Sequence, residues 1–351
     1  MNQVQKIAVV GIGKISDIYI KNIKERYHNL EIVSLFDIVQ ERAESVAKAY
    51  SIPKVCTSLD EVLGDETVDI VLNLTRPNDH FSVSHQALQA GKHVYTEKPL
   101  TSTFQDGMML VEEAEAKGLY LGAAPDTFLG AGLQTCKKLI ADGIIGEPIG
   151  AEAQMVCHGW ECWHPDPDFY YKKGGGPLLD MGPYYITALT YLMGHAKTVT
   201  SMAKKTFDKR QILTGYRMGE ELDVEVPTWI NSIIQFENGA QAGLLTTFDG
   251  YFDKESRVEL YGTKGTIIVP DPNWFKGPVM LFDKEKNTFE NIPLISKDEE
   301  NLRGLGLSEM ATAIVEKRPC KTNARQALHT LDILESIEKS YTSGAAVNLR
   351  T

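Results

Sequence analysis

Along the first third of the chain, short apolar runs rich in β-branched residues alternate with stretches of helical periodicity. Residues 6–10 (Lys-Ile-Ala-Val-Val) form one such run, which stops at Gly11. A run of this kind suits a strand buried on both faces. The pattern then predicts a helix over 15–27, a strand over 31–36 that ends at Asp37, and a helix over 40–50. A strand over 68–74, a helix over 81–90 and a strand over 93–96 follow. A helix over 104–117, closed by Gly118, and a strand over 119–123 complete the series. Strands alternating with helices predict right-handed βαβ units and a doubly wound parallel sheet.

Beyond residue 125 the pattern changes. Strands are expected over 149–157, 198–204, 228–236 and 240–248, and Asn238-Gly239 is a strong hairpin turn. Further strands are expected over 257–260, 266–269, 279–282 and 288–292, and helices over 133–141, 183–192, 309–316 and 325–339. This predicts an α+β domain with a large, mostly antiparallel open sheet. The expected division is 1–125 and 126–351, with helix 325–339 packing back on the first domain.

The chain of 351 residues carries a net charge of -11, which argues against nucleic acid as a partner. No apolar stretch is long enough to span a bilayer. The N-terminus runs at once into a strand-like segment without a leader, so the cytoplasm is the expected compartment. Five cysteines without a C-x-x-C pair do not form a disulfide framework.

Ligands of doubly wound sheets bind at the carboxyl ends of the strands. Gly11, Asp37, Thr75 and Lys98 all fall at predicted strand ends. Gly11-Ile12-Gly13-Lys14-Ile15-Ser16 matches the Rossmann fingerprint G-x-G-x-x-G, except that Ser16 stands at the third glycine, where only a small residue is required. The two glycines permit a tight turn and close approach to a pyrophosphate, and the following helix directs main-chain N–H groups at it. Glycines at a strand–helix turn also occur for purely structural reasons. Asp37 can accept both ribose hydroxyls and repel the 2′-phosphate of NADP, so NAD is expected rather than NADP. The alternative for Asp37 is to start a turn or cap the next helix.

Three motifs in this order resemble the glucose-fructose oxidoreductase / inositol dehydrogenase / rhizopine catabolism (Gfo/Idh/MocA) family over nearly the whole chain. They are the Gly11-x-Gly13 turn, Glu97-Lys98-Pro99, and Gly174-Gly175-Gly176-Pro177-Leu178-Leu179-Asp180-Met181-Gly182-Pro183-Tyr184. Thr75-Arg76-Pro77-Asn78-Asp79-His80 resembles the family's Thr-Pro-Asn-x-x-His loop with one added residue, which implies Thr75, Asn78 and His80 at the cofactor. The resemblance implies that Lys98 sits beside the nicotinamide and the substrate hydroxyl. Glu97 would orient Lys98 or the ring, and Pro99 would fix the turn, where a cis bond is open to it. An ammonium there stabilises charge on the oxygen during hydride transfer, while a base takes the proton. The family pattern Asp-x-Gly-x-His reads Asp180-Met181-Gly182-Pro183-Tyr184 here. Asp180 matches, and Tyr184 stands where the family carries its catalytic histidine. Candidates for the base are Tyr184, whose phenolate a neighbouring Lys98 ammonium would favour, Lys98 itself, and His164.

Cys157-His158-Gly159-Trp160-Glu161-Cys162-Trp163-His164-Pro165-Asp166 gathers two thiols, two imidazoles and two indoles. Its spacing fits none of the common zinc pairs, and no metal is expected. A substrate loop is expected instead. Trp160 and Trp163 would stack on the apolar face of a sugar, with His164, Asp166 and Asp168 bonding its hydroxyls; a buried aromatic loop is the plainer alternative. Ala124-Pro125-Asp126-Thr127-Phe128 departs from the family's asparagine–arginine type motif, and Asp126 is expected to accept a substrate hydroxyl. The expected function is hydride transfer between NAD and a secondary hydroxyl of a sugar, cyclitol or related polyol. Acidic side chains (Asp126, Asp168, Asp180) favour a neutral polyol over an anionic acid. Two alternatives are a glycoside-cleaving enzyme that oxidises its substrate transiently with bound NAD, and a non-catalytic regulator binding dinucleotide and sugar. The open sheet of the second domain suggests a homo-oligomer, dimer or tetramer.

Overall fold

The computed structural model describes residues 4–251, 257–298 and 300–351. Its first elements are β1 (Gln5–Val10), α1 (Ser16–Glu25), β2 (Leu30–Phe36), α2 (Gln40–Tyr50) and α3 (Leu59–Leu63). Then come β3 (Ile70–Asn73), α4 (His80–Gln89), β4 (His93–Thr96), α5 (Phe104–Lys117) and β5 (Leu121–Ala123). Next are α6 (Ala131–Ala141), β6 (Pro148–Val156), α7 (Gly176–Met193), β7 (Ala196–Lys204), β8 (Lys209–Gln211) and β9 (Glu221–Asp223). They are followed by β10 (Trp229–Phe236), β11 (Gln241–Thr247), β12 (Arg257–Gly262), β13 (Thr266–Val269), β14 (Val279–Asp283) and β15 (Thr288–Ile292). The chain closes with α8 (Leu305–Glu316), α9 (Ala324–Ser343) and β16 (Val347–Asn348).

Two compact units result, Met1–Leu129 with Asn301–Leu331, and Gly130–Glu300 with Asp332–Thr351. A single cut at residue 125 leaves out the return of 301–331 to the first unit. Polar bonds between residues remote in sequence bring it back. The Asn22 side-chain amide donates to the carbonyls of Asn301 and Arg303, each at 2.8 Å, and the Ala123 N–H donates to the Thr322 carbonyl at 3.0 Å.

In the first unit the described strands form a parallel sheet in the order β2-β1-β3-β4-β5. Ile7, Val9, Ile70 and Leu72 face one side, where Tyr19, Ile20 and Ile23 of α1 and Leu307 and Met310 of α8 cover them. Ala8, Val10, Val71 and Val94 face the other, against Val83 and Leu88 of α4, Leu110 and Val111 of α5, and Leu328 of α9. Burial on both faces is the reason these strands read as unbroken apolar runs. The strand order reverses between β1 and β3, which opens a crevice at their carboxyl ends.

In the second unit the described strands form a sheet in the order β15-β14-β13-β12-β6-β11-β10-β7-β16. β6 and β11 run parallel, and the other pairs are antiparallel. Along β10, Ile230, Ser232, Ile234 and Phe236 are buried while Asn231, Ile233 and Gln235 are exposed. This period of two marks one covered face and one open face. The covering helix α7 begins at Gly176 rather than at the expected residue 183. Pro177 occupies its first turn, where proline is tolerated, and the helix runs on through Pro183. β8 and β9 pair as a separate ribbon.

Gly11 has φ +94°, and a Cβ there would lie 2.7 Å from the Leu74 carbonyl carbon and the Thr75 nitrogen. Both the dihedral and the contact require glycine. Gly11→Ala is expected to cost about 2 kcal/mol or more of stability, read by urea denaturation; an unchanged midpoint would contradict this close passage.

Candidate active site

The carboxyl edge of the parallel sheet gathers most of the expected cofactor residues. Gly11 follows β1, Asp37 follows β2, Thr75 lies just past β3, and Glu97 and Lys98 follow β4. Among the described residues no side chain caps the N-terminus of α1. A Cβ on Gly13 would meet no atom within 4 Å. Gly13 and Lys14 are exposed, Ile12 is buried and Ile15 half-buried. A glycine turn open on one side, leading into a helix end without a side-chain cap, fits a dinucleotide pyrophosphate. Asp37 Oδ2 accepts the Ile12 N–H at 2.6 Å, and Oδ1 accepts the Val39 N–H at 2.8 Å. The turn-forming alternative is therefore realised, and the same carboxylate is tied to the glycine loop. Carboxylate oxygens have spare lone pairs, so these bonds are compatible with ribose hydroxyls as further donors.

The loop after β3 is held from below by Asn73, which is fully buried. Its Oδ1 accepts the Thr75 N–H at 3.2 Å and the Thr75 hydroxyl at 2.6 Å. Its amide donates to the His80 carbonyl and the Ser84 hydroxyl. Asn78 is exposed and accepts the Ser102 hydroxyl at 3.1 Å. His80 departs from expectation. Its side chain is wholly buried, with Nδ1 2.6 Å from the Pro99 carbonyl and Nε2 3.1 Å from the Thr75 carbonyl. Burial holds its basicity below the usual histidine range. The ring joins the loop after β3 to the turn after β4, so it positions the edge instead of facing a ligand.

Glu97 is buried beneath that edge. Its Oε1 accepts the Tyr19 hydroxyl at 2.8 Å and its Oε2 accepts the Lys98 N–H at 2.9 Å. Burial, reinforced by the Glu97 charge, pushes the Tyr19 phenol well above its usual value. Tyr19 therefore stays a donor and fixes the carboxylate. Lys98 is half-buried, and the Lys98–Pro99 peptide is cis.

Asp126 is also corrected. It is 1 % exposed, and its Oδ2 accepts the Gly304 N–H at 2.9 Å and the Gly306 N–H at 3.0 Å. It clasps the returning segment within the first unit and does not present its carboxylate to a substrate. Burial raises its pKa to about 6. A carboxyl raised in the folded state adds most stability below its unfolded value, near pH 4, and that contribution fades as pH rises through about 6. Asp126→Asn, whose amide oxygen can accept the same N–H groups, is expected to flatten the stability profile between about pH 4 and 6. Urea midpoints across that range check it, and parallel curves for the two proteins would contradict it.

Trp160, His164, Asp180 and Tyr184 belong to the second unit. Asp180 and Tyr184 lie one turn apart on one face of α7. The Trp160 indole N–H donates to Asp180 Oδ2 at 2.7 Å. Tyr184 is largely buried, while Tyr185 is fully buried and donates to Asp271 at 3.1 Å, taking the packing part. His164 Nδ1 accepts the Asp166 N–H at 3.1 Å, and its ring packs edge-on against Trp163, Phe169 and Tyr170. Arg217 binds Asp168 and holds its carboxyl below the usual range. Burial pushes the Cys157 thiol up to about 12, which keeps it a protonated, unreactive thiol near neutral pH. Among the described residues no group of three His, Cys, Asp or Glu side chains is placed to hold a metal.

Sequence reasoning missed the support under this loop. Arg210, in the short strand β8, binds Glu161 at 2.7 Å and Asp249 at 3.0 Å, and all three side chains are buried. It also donates to the His158 carbonyl at 2.7 Å, and Glu161 accepts the Tyr171 hydroxyl. An arginine between Lys209 and Gln211 gives no local signal of burial. Asn73 did carry one, as a polar residue ending the apolar strand Ile-Val-Leu-Asn.

A parallel sheet with a glycine turn after its first strand, an aspartate after its second and a lysine after its fourth defines a dinucleotide-binding oxidoreductase. Residues 5–124 match the oxidoreductase family with an NAD-binding Rossmann fold, and residues 133–268 match the GFO/IDH/MocA C-terminal domain. The chain belongs to the Gfo/Idh/MocA family and is an NAD-binding oxidoreductase acting on CH–OH groups. It is 26% identical to the 1,5-anhydro-D-fructose reductase of Ensifer adhaerens over 92% of both chains. It is 23% identical to the myo-inositol 2-dehydrogenase of Thermotoga maritima, over 80% of this chain and 79% of that one. Its fold matches an NAD binding oxidoreductase from Klebsiella pneumoniae with a TM-score of 0.86 and 21% identity, over 99% of this chain and 100% of that one. Among the described residues no helix is long and apolar enough to cross a membrane.

Because the space beside Gly13 is open, Gly13→Ala is expected to leave the unfolding free energy, read by urea denaturation, within about 0.5 kcal/mol of wild type. The added methyl enters the proposed pyrophosphate site, so dinucleotide affinity should fall about tenfold or more. Isothermal titration with NAD checks this, and unchanged affinity would move the cofactor elsewhere.

Proposed function

We propose that this protein transfers a hydride between NAD and a secondary hydroxyl of a neutral sugar, cyclitol or related polyol. The carrying observation is the gathering of Gly11–Gly13, Asp37, Thr75 and Glu97–Lys98 on one carboxyl edge of the parallel sheet. Bound NAD supplies the hydride acceptor at its nicotinamide ring. Asp37 selects NAD over NADP, because its carboxylate accepts ribose hydroxyls and repels a 2′-phosphate. The Lys98 ammonium stabilises negative charge on the substrate oxygen, and Glu97, fixed by Tyr19, sets the turn that carries it. In its phenolate form Tyr184 takes the hydroxyl proton and becomes the phenol. Asp180, oriented by the Trp160 indole, bonds the substrate and directs it toward Tyr184. The names of the relatives, a sugar-derivative reductase and an inositol dehydrogenase, support a polyol substrate. The exposed apolar residues Ile233 and Met202 on the open sheet face support assembly into a homo-oligomer, dimer or tetramer.

NADH formation over a panel of sugars and cyclitols tests the reading. Lys98→Ala is expected to lower kcat by about 10²–10⁴-fold while the NADH dissociation constant, read by fluorescence titration, stays nearly constant. Tyr184→Phe keeps the packing and removes the hydroxyl, so a comparable loss of kcat is expected. Normal turnover in either variant would refute the role given to that residue.

A further inference from the structure

We propose that the second unit accepts a substrate larger than one sugar ring, with Trp163 and Phe169 holding a second saccharide ring beyond the one that Asp180 and Tyr184 engage. This rests on the reading of the protein as a sugar dehydrogenase. Five rings in the segment between β6 and α7 form a closed circuit. Trp160 meets Trp163 at 6.0 Å, Trp163 meets His164 at 5.3 Å, and His164 meets Phe169 at 5.3 Å. Phe169 lies 4.0 Å from Tyr170, which returns to Trp160 at 6.2 Å. Trp160 is committed to Asp180 through its indole N–H. Further out, Trp163, one ring contact from Trp160, and Phe169, two contacts from it, are 46% and 54% exposed.

These outer rings stand on a rigid base. The buried Arg210 joins Glu161 inside the segment to Asp249 after β11, and the Leu213 N–H donates to the Glu161 carbonyl at 2.9 Å. Half-exposed aromatic rings on a fixed loop offer an apolar face on which a ligand can stack. Their surroundings select the ligand. Asp166 and Asp168 border the rings, bound by the Tyr216 hydroxyl and by the Arg217 guanidinium. A pyranose has an apolar C–H face for an aromatic ring and a rim of hydroxyls for carboxylates and guanidinium.

The test measures NADH formation from a monosaccharide and from a disaccharide that carries the same reacting ring. The wild-type enzyme is compared with Phe169→Ala and with Phe169→Trp, which keeps a ring face. The disaccharide is expected to have the higher kcat/KM. Phe169→Ala should lower that value about tenfold, the scale of one aromatic contact, leave the monosaccharide value unchanged, and be rescued by Phe169→Trp. Equal effects on both substrates, or no preference for the disaccharide, would overturn the proposal. So would a change in sedimentation mass in Phe169→Ala, which would assign the patch to a subunit contact, or a preference for an aryl glycoside over the disaccharide. Absence of NADH from every saccharide would instead sink the sugar-dehydrogenase reading, and this proposal with it.

Discussion

The passage of Gly11 against the main chain of Leu74 and Thr75 sets the carboxyl edge of the first sheet. Only a residue without a Cβ brings the turn after β1 so close to the end of β3. Once there, the turn receives the Asp37 carboxylate from β2 through the Ile12 amide. On the other side, Asn73 holds Thr75, and His80 links the Thr75 carbonyl to that of Pro99. Four strand ends are thus joined by hydrogen bonds into one frame. The groups given to cofactor and chemistry are mounted on it, which is how a rigid scaffold keeps reacting groups in register.

The second unit solves the same problem with charge. Arg210 is buried between Glu161 and Asp249, and each of these carboxylates has a further hydroxyl donor, Tyr171 and Thr228. Buried ions persist only when paired and hydrogen-bonded in this way. The network fastens the loop carrying Trp160 to the short ribbon of β8 and β9, and Trp160 in turn holds Asp180 on α7. An aromatic loop that alternation of apolar and polar residues leaves undefined is thereby given a fixed shape.

Periodicity made most elements legible. The spans of α2, β4, α5, β13 and β15 coincide with those read from the pattern, because each is bounded by a glycine, an asparagine or a change of period. α3, β8, β9 and β16 are too short to show a period. The start of α7 was hidden because Pro183 reads as a helix start while Pro177 is the real one. At the site, Gly11, Asp37, Glu97 and Lys98 were legible as strand-end residues. His80 and Asp126 were misjudged, since a polar residue beside a motif looks the same in sequence whether it faces a ligand or the chain's own carbonyls and amides.

The sequence by itself determined the alternation that makes the first sheet parallel, the period of two that opens one face of the second, and the strand ends where chemistry would gather. These follow from local rules of burial and turn formation, which act over a few residues. Tertiary structure alone decided that 301–331 returns to the first unit, that Asp126 and His80 turn inward, and that Arg210 lies beneath the Trp160 loop. Each of these depends on a donor meeting an acceptor from a remote part of the chain, a pairing that no local pattern encodes.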